Sequence, residues 1–426
     1  MERFNGVIGI VLIIGLAFLF SNNRKKINYR LVLSGLGLQL TLALFILKTS
    51  LGQNIFGWVG NAIKRLLDMA DKGGEFVFGG LIHPELLKPI FGDQYSFLFM
   101  FKIMPTIIFV AVLVNIAYHV GIMQIIVSFI ARIVHALMRV SGSEALSNVA
   151  SAFVGQVEAQ IMIKPYIASM TMSELLASMS GSMACIAGGV MAVYISMGVP
   201  APYLLAASIM AAPASLVIAK IMWPETEESA TKGAVKLEVK KVHANLLDAI
   251  SHGASDGLKV SLNVIAMLIG FIALIALINA ILAKFGLLLA TTGLNISAVG
   301  IDLNNLSLNS IFGSVFSIFA WAMGVPSQDT FAVGSLMGTK MVINEFVAYS
   351  NLSPMIVHQT LQPKSLVIVS FALCGFANFS SIAIQVGGIG ELAPSRRSDL
   401  AKLGFKALFC GTLASYLSAT IAGILM

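Results

Sequence analysis

Charge is scarce in this chain. Only 11% of its 426 residues are Asp, Glu, Lys or Arg, against about 25% in an ordinary soluble domain. With 57% hydrophobic residues and a mean hydropathy of +0.89, too few polar side chains remain to wet every face. The length would hold two or three soluble domains, but this composition excludes them. Cysteine is scarcer still by count. Cys185, Cys374 and Cys410 lie in apolar stretches without paired spacing, which excludes a disulfide framework and a thiolate metal centre and leaves three small buried hydrophobes. An aromatic-basic patch is also missing. The 27 Lys and Arg stand in short clusters between apolar runs, so the net charge of +7 reads as cytoplasmic loops and not as a nucleic-acid surface. The apolar run over 7–20 ends at Asn22-Asn23-Arg24-Lys25-Lys26 without a small-residue cleavage site, so it reads as a retained first helix.

What the chain does have is long apolar runs. About 20 apolar residues cross a bilayer core, and that ruler places eight spans near 4–21, 30–48, 99–121, 178–197, 202–222, 258–284, 364–387 and 404–425. The sequence describes an all-α integral membrane protein. Basic residues after the first, third and fifth spans and before the last fall on one side of such a chain, which predicts a multi-pass inner-membrane protein with both termini outside. Segments 52–72 and 122–140 have apolar residues at helical spacing and are expected to lie along the interface.

Two regions, 143–177 and 305–342, are apolar but interrupted by polar and small residues. Each reads as two half-length helices and a turn, a re-entrant hairpin that must be buried or line a wet cavity. Each is followed by a helix with a Gly-rich break, Cys185-Ile186-Ala187-Gly188-Gly189 in one case and Gly375-Phe376-Ala377-Asn378 in the other, and then by a further helix. Paired interrupted segments in two inverted halves point to a transporter whose site lies at mid-membrane. Helix-packing glycines explain either break alone, but not the two together. The predicted divisions are a scaffold and interfacial part over 1–140, a first hairpin and repeat over 141–222, a charged linker over 223–257, a long scaffold helix and outer loop over 258–304, and a second hairpin and repeat over 305–426.

Ionisable residues at membrane depth are costly, so each is a functional candidate. Glu158 stands two residues after Gln156, and Glu345 directly follows Asn344, so each repeat offers a carboxylate beside a carboxamide. Paired carboxylates occur in acid-base hydrolases, but nothing here supplies the open aqueous cleft of one. Binding neutral hydroxyls or carrying a coupling proton fits better. Asn378 and Ser381 stand three residues apart at a helix break, where they either cap a half-helix or face a cavity beside Phe376. Such a set suits a polar ring compound with hydroxyls. His119 and Asp329 read as residues at wet span ends.

Gly155-Gln156-Val157-Glu158, Asn344-Glu345-Phe346-Val347-Ala348-Tyr349 and Gly375-Phe376-Ala377-Asn378-Phe379-Ser380-Ser381 resemble motifs of the concentrative nucleoside transporters, in the same order and over nearly the whole chain. The resemblance implies a homotrimer of eight-span protomers, each importing nucleosides such as uridine by coupling to a cation gradient, with no cofactor and no enzymatic activity. It also implies that Gln156 and Glu158 read the nucleobase, that Glu345, Asn378 and Ser381 hold the ribose, that Phe376 lines the pocket and that Val190 gives the base an apolar contact. The family's sodium position corresponds to Ser151, Val154, Cys185 and Ile186. Sodium-coupled members usually have Asn at the position of Ser151 and often Ser at that of Cys185, so sodium and proton coupling both stay open. Val157 replaces the Thr or Ser of many members, which leaves base preference open. A carrier of another polar solute or a modified nucleoside, and an ion exchanger using the two carboxylates, are the alternatives.

Overall fold

The computed structural model describes residues 2–92, 98–232, 243–292 and 303–426. Among these the regular structure is helical throughout. Helices α1 (Glu2–Leu19) and α2 (Tyr29–Lys48) are followed by α3 (Ser50–Phe78) and the short α4 (Pro84–Phe91). Asn28 starts α2 by accepting a hydrogen bond from the Leu31 amide at 3.2 Å. Thr49 does the same for α3 from Gly52 at 3.0 Å, the cap chemistry expected of these residue types. α3 covers the predicted interfacial segment and carries Asp71, paired with Lys102 at 2.6 Å.

Two runs of elements then repeat the same order. The first is α5 (Phe99–Val120), α6 (Ile122–Met138), α7 (Gly142–Ser151), the short α8 (Glu158–Ile161) and α9 (Lys164–Ile167), the interrupted pair α10 (Met172–Ala184) and α11 (Gly188–Ser196), and α12 (Ala201–Met222). The second is α13 (Leu246–Ala290), α14 (Leu308–Ala322), α15 (Thr330–Val342), α16 (Glu345–Val357), the interrupted pair α17 (Pro363–Leu373) and α18 (Phe379–Leu392), and α19 (Arg397–Leu425). Six stretches among the described residues are long and apolar enough to cross a membrane singly. α1 and the pair α17–α18 supply the other two of the eight expected.

Three expectations change. The second repeat's helix–break–helix unit is α15 and α16, not the 305–342 segment. α14 and α15 do form the predicted helix pair with a turn at 323–329, but α14 occupies the place of α6 in the repeat. The break between α15 and α16 consists of Ile343 and Asn344, and the Asn344 side chain caps α16 from the Val347 amide at 2.9 Å. Apolar periodicity runs through this point without Gly or Pro, which hid the break. In consequence Glu158 and Glu345 are each the first residue of the helix after the break. The second change is α13. Its 45 residues run about 70 Å at about 1.5 Å per residue, so the expected boundary at 258 falls inside one helix. The polar residues of its first turns, Asp248, His252 and Asp256, share the exposed side of the same helix.

Gly253 and Gly257 let α13 approach α5: a Cβ on either would stand 2.7 Å from the Val112 Cα or 2.6 Å from the Ile108 Cα. Small residues at such crossings let membrane helices pack closely. Most of the rest of α13 exposes apolar side chains, Leu247, Ile269, Leu277, Ile281 and Leu288 among them. The buried core lies instead among α7, α10–α12 and α15–α19, where Tyr194, Tyr349 and Phe371 are almost fully enclosed. Asp329 belongs to this interior. It is 5% exposed and accepts hydrogen bonds from the Gln362 amide at 2.9 Å and the Ser365 hydroxyl at 2.6 Å, so it orders the start of α17 and is not the wet group expected. The three cysteines are free and buried.

Candidate functional site

The two interrupted helices touch at their breaks. Gly375 has φ +130°, and a Cβ there would lie 2.6 Å from the Ala184 carbonyl oxygen, so both its backbone angle and its space require glycine. The next amide, on Phe376, donates to the Cys185 carbonyl at 3.2 Å, and Gly188 donates to the Phe153 carbonyl at 3.1 Å. Unwound backbone is thereby satisfied in the interior, as membrane depth demands. The breaks turn Phe376 and Asn378 of one repeat, and Ala187, Gly189 and Val190 of the other, toward one cavity of about 520 Å³.

Within this cavity the second repeat builds a closed polar set. Asn378 caps α18, its Oδ1 accepting from the Ser381 amide at 2.9 Å and from the Ser380 hydroxyl at 2.7 Å. That fixes its Nδ2 as a donor pointing the other way, onto Glu345 Oε2 at 2.8 Å. Capping and site contact are therefore performed by one side chain. The other oxygen of Glu345 accepts from the Tyr194 hydroxyl at 3.3 Å. Glu345 is 6% exposed, and Tyr194 is held in place by stacking on Tyr349 at a ring separation of 4.1 Å.

Beyond Tyr194, which belongs to α11, the first repeat's contribution is looser. Gln156 donates to the Ser381 hydroxyl at 3.5 Å and accepts from Gln385 at 3.4 Å. Glu158 is exposed to the cavity. Gly155 makes room for its carboxylate, which a Cβ at that position would overlap. Val157 packs toward α18, where a Cβ on Gly388 would come within 2.6 Å of it.

The structure thus brings Gln156, Val157, Glu158 and Val190 to the same cavity as Glu345, Phe376, Asn378 and Ser381. Of the four residues matched to the sodium position, only Val154 reaches the cavity wall. Ser151, Cys185 and Ile186 are buried behind it. The Ser151 hydroxyl donates to the Ser147 carbonyl at 2.7 Å, so the Ser182 hydroxyl, 3.0 Å away, must donate to it. Ser182 accepts from Gln160 at 2.7 Å, and Gln160 accepts from Ser178 at 2.6 Å. The chain of donors runs in one direction and is complete. The Cys185 thiol faces the opposite way, toward the Ser208 carbonyl at 3.9 Å.

Tyr194 and Gln385 were not foreseen. Tyr194 sits in an apolar run and looks like core, and no sequence signal marks it. Gln385 had one: it follows Ser381 by four residues, one turn along the same face of an otherwise apolar helix. Asn115 and Tyr118 of α5 complete the cavity wall from the scaffold side.

Comparison with known proteins places this architecture. Residues 203–423 match the family described as Na+ dependent nucleoside transporter C-terminus, residues 8–81 match its N-terminus, and residues 100–201 match a region described as nucleoside recognition. The chain belongs to the concentrative nucleoside transporter family. Members of this family are transporters and not enzymes. Among its relatives, the uncharacterized transporter YutK of Bacillus subtilis is 44% identical over 98% of this chain and 98% of its own length. The nucleoside permease NupC of Helicobacter pylori is 38% identical over 98% of this chain and 96% of its own. The solved structure of CNTnw in an inward-facing substrate-bound state superposes with a TM-score of 0.91 at 39% identity, covering 100% of this transporter and 98% of that chain.

Proposed function

We propose that this transporter imports nucleosides such as uridine across a bacterial inner membrane by alternating access, driven by an inward cation gradient. The observation that carries the reading is the clamped carboxylate: Glu345, fixed between Tyr194 and Asn378, faces Gln156 and Glu158 across a cavity of about 520 Å³. Buried acceptors and donors in fixed positions suit ribose hydroxyls, and a site built this way rejects analogues that lack them. Gln156 and Glu158 would read the base, with Val190 and Phe376 as its apolar contacts. The exposed apolar face of α13 supports a homotrimer, in which α1–α6 and α13 form the stationary scaffold and the re-entrant elements of the two repeats move the site. Both termini would lie outside.

The hydroxyl chain around Ser151 favours a proton over sodium as the coupling ion. Sodium is a hard cation that needs several oxygen ligands, and the Ser151 hydroxyl, which donates to Ser147 and accepts from Ser182, keeps only one lone pair to offer. The Cys185 thiol is a poor ligand for such an ion. Glu158, open to the cavity, is then the proton carrier. Uptake of labelled uridine into proteoliposomes under separate proton and sodium gradients tests this. Accumulation under the proton gradient alone supports the whole reading. Accumulation under sodium alone moves coupling to Ser151, Val154, Cys185 and Ile186. No uridine uptake under either gradient rejects uridine and points to a modified nucleoside or another polar solute.

A further inference from the structure

Outside the substrate cavity, at the start of α13, His243, Asp248 and His252 each present a ligand atom within 4.8 Å of the others. The hydrogen on His243 Nε2 follows from its neighbours. Asn115 of α5 donates through Nδ2 to the Ala111 carbonyl at 2.9 Å, so its Oδ1 is the acceptor that faces His243 Nε2 at 3.0 Å. His243 Nε2 must carry a hydrogen, and in the neutral ring its Nδ1 keeps a lone pair. That Nδ1 is buried and has no hydrogen-bond partner among the described residues, and the residue as a whole is only 9% exposed. Its nearest acidic neighbour is Asp248 Oδ2 at 3.9 Å, an acceptor as well, and His252 Nε2 stands 3.5 Å from Asp248 Oδ1. A buried imidazole lone pair and a carboxylate facing each other with no hydrogen between them form an electron-rich point that a cation would satisfy.

We infer that His243, Asp248 and His252 form a binding site for a zinc-like divalent transition-metal ion. Two imidazoles and one carboxylate suit such an ion, and the Asn115 amide that fixes the His243 tautomer is the outer-shell partner such ligands need. Tetrahedral coordination at about 2.0–2.1 Å separates ligand atoms by about 3.3 Å, so the His252–Asp248 spacing of 3.5 Å closes by a small torsion of the exposed His252 side chain and the His243–Asp248 spacing of 3.9 Å by a turn of the Asp248 carboxylate. That exposure also leaves the fourth position to water. Because Asn115 lines the substrate cavity, a bound ion would tie the segment entering α13 to the wall of the transport site.

The purified full-length transporter, titrated with zinc against a chromophoric chelator, tests the site without relying on the transport reading. One saturable equivalent per chain is expected. His252→Gln and His243→Gln should each weaken it by more than about 100-fold, and Asn115→Ala by about 10–100-fold, as for other outer-shell partners. His83→Gln should leave it intact, since that half-buried histidine beside Glu75 and Glu85 is another His–carboxylate group among the described residues. His252 is the cleaner probe. Asp248 also closes the start of α13 by hydrogen bonds with Ala244 and Asn245, and its replacement would disturb the helix. Cobalt bound in place of zinc should give the intense visible absorption of a tetrahedral ion, absent in His252→Gln. Undiminished binding in both histidine variants, or no saturable equivalent in the parent, overturns the assignment.

Discussion

Glu158 and Glu345 occupy the same place in two repeats, each the first residue of the helix after a break, yet they live in different surroundings. Glu345 is 6% exposed and both of its oxygens accept hydrogen bonds, from Tyr194 and Asn378. Glu158 is exposed to the cavity, with Gly155 clearing space for its carboxylate. The difference teaches that inverted repeats supply equivalent positions but not equivalent chemistry. A carboxylate held by two fixed donors is preorganised to present its remaining lone pairs to a ligand, whereas one in an open cavity can move and exchange a proton. Burial decides which is which.

Four substitutions sharpen or break this contrast. The largest effect is expected for Glu345→Gln. The new amide sets a donor against the donors of Tyr194 or Asn378, and the loss of charged hydrogen bonds, each contributing about 1.5–3 kcal/mol, lowers nucleoside uptake about 100-fold. Size-exclusion chromatography should show an unchanged particle. Uptake within twofold of the parent protein would mean that the clamp only stabilises the fold. Next comes Glu158→Gln, for which accumulation against a gradient should disappear while nucleoside exchange persists, its KM raised about tenfold, or about 1.4 kcal/mol. A variant that still accumulates substrate would remove Glu158 from the coupling step. Tyr194→Phe deletes one of the two clamping donors and keeps the ring stack, so uptake should fall about fivefold, or about 1 kcal/mol. An effect as large as that of Glu345→Gln would show that the two oxygens do not contribute separately. Val157→Thr should be the mildest. It restores a hydroxyl near the expected base position at similar volume, and competition between purine and pyrimidine nucleosides should shift by about twofold, since a half-exposed neutral hydrogen bond contributes about 0.5 kcal/mol.

Much of this arrangement was legible along the chain. Gly188-Gly189 and Gly375 announce the two helix breaks, and the carboxylates stand out because charge is so scarce around them. The break before Glu345 was not legible, because Val342-Ile343 continues the apolar run and Asn344 acts as a cap only in context. The start of α13 was misplaced because hydropathy rises near residue 258, while helical geometry continues unbroken from Leu246. Asp329 looked wet because charge at a turn usually is. Only its contacts with Gln362 and Ser365 place it inside.

The sequence alone determined the membrane character, the repeated order of elements and the helix breaks, because hydropathy and the backbone freedom of glycine are local properties of a few consecutive residues. Partnership is not local. Tyr194 meets Glu345 across 151 positions, Gln156 meets Ser381 across 225 and His243 meets Asn115 across 128. Each pair exists only because packed helices bring a donor within hydrogen-bond reach of an acceptor, and that geometry depends on how the whole bundle crosses.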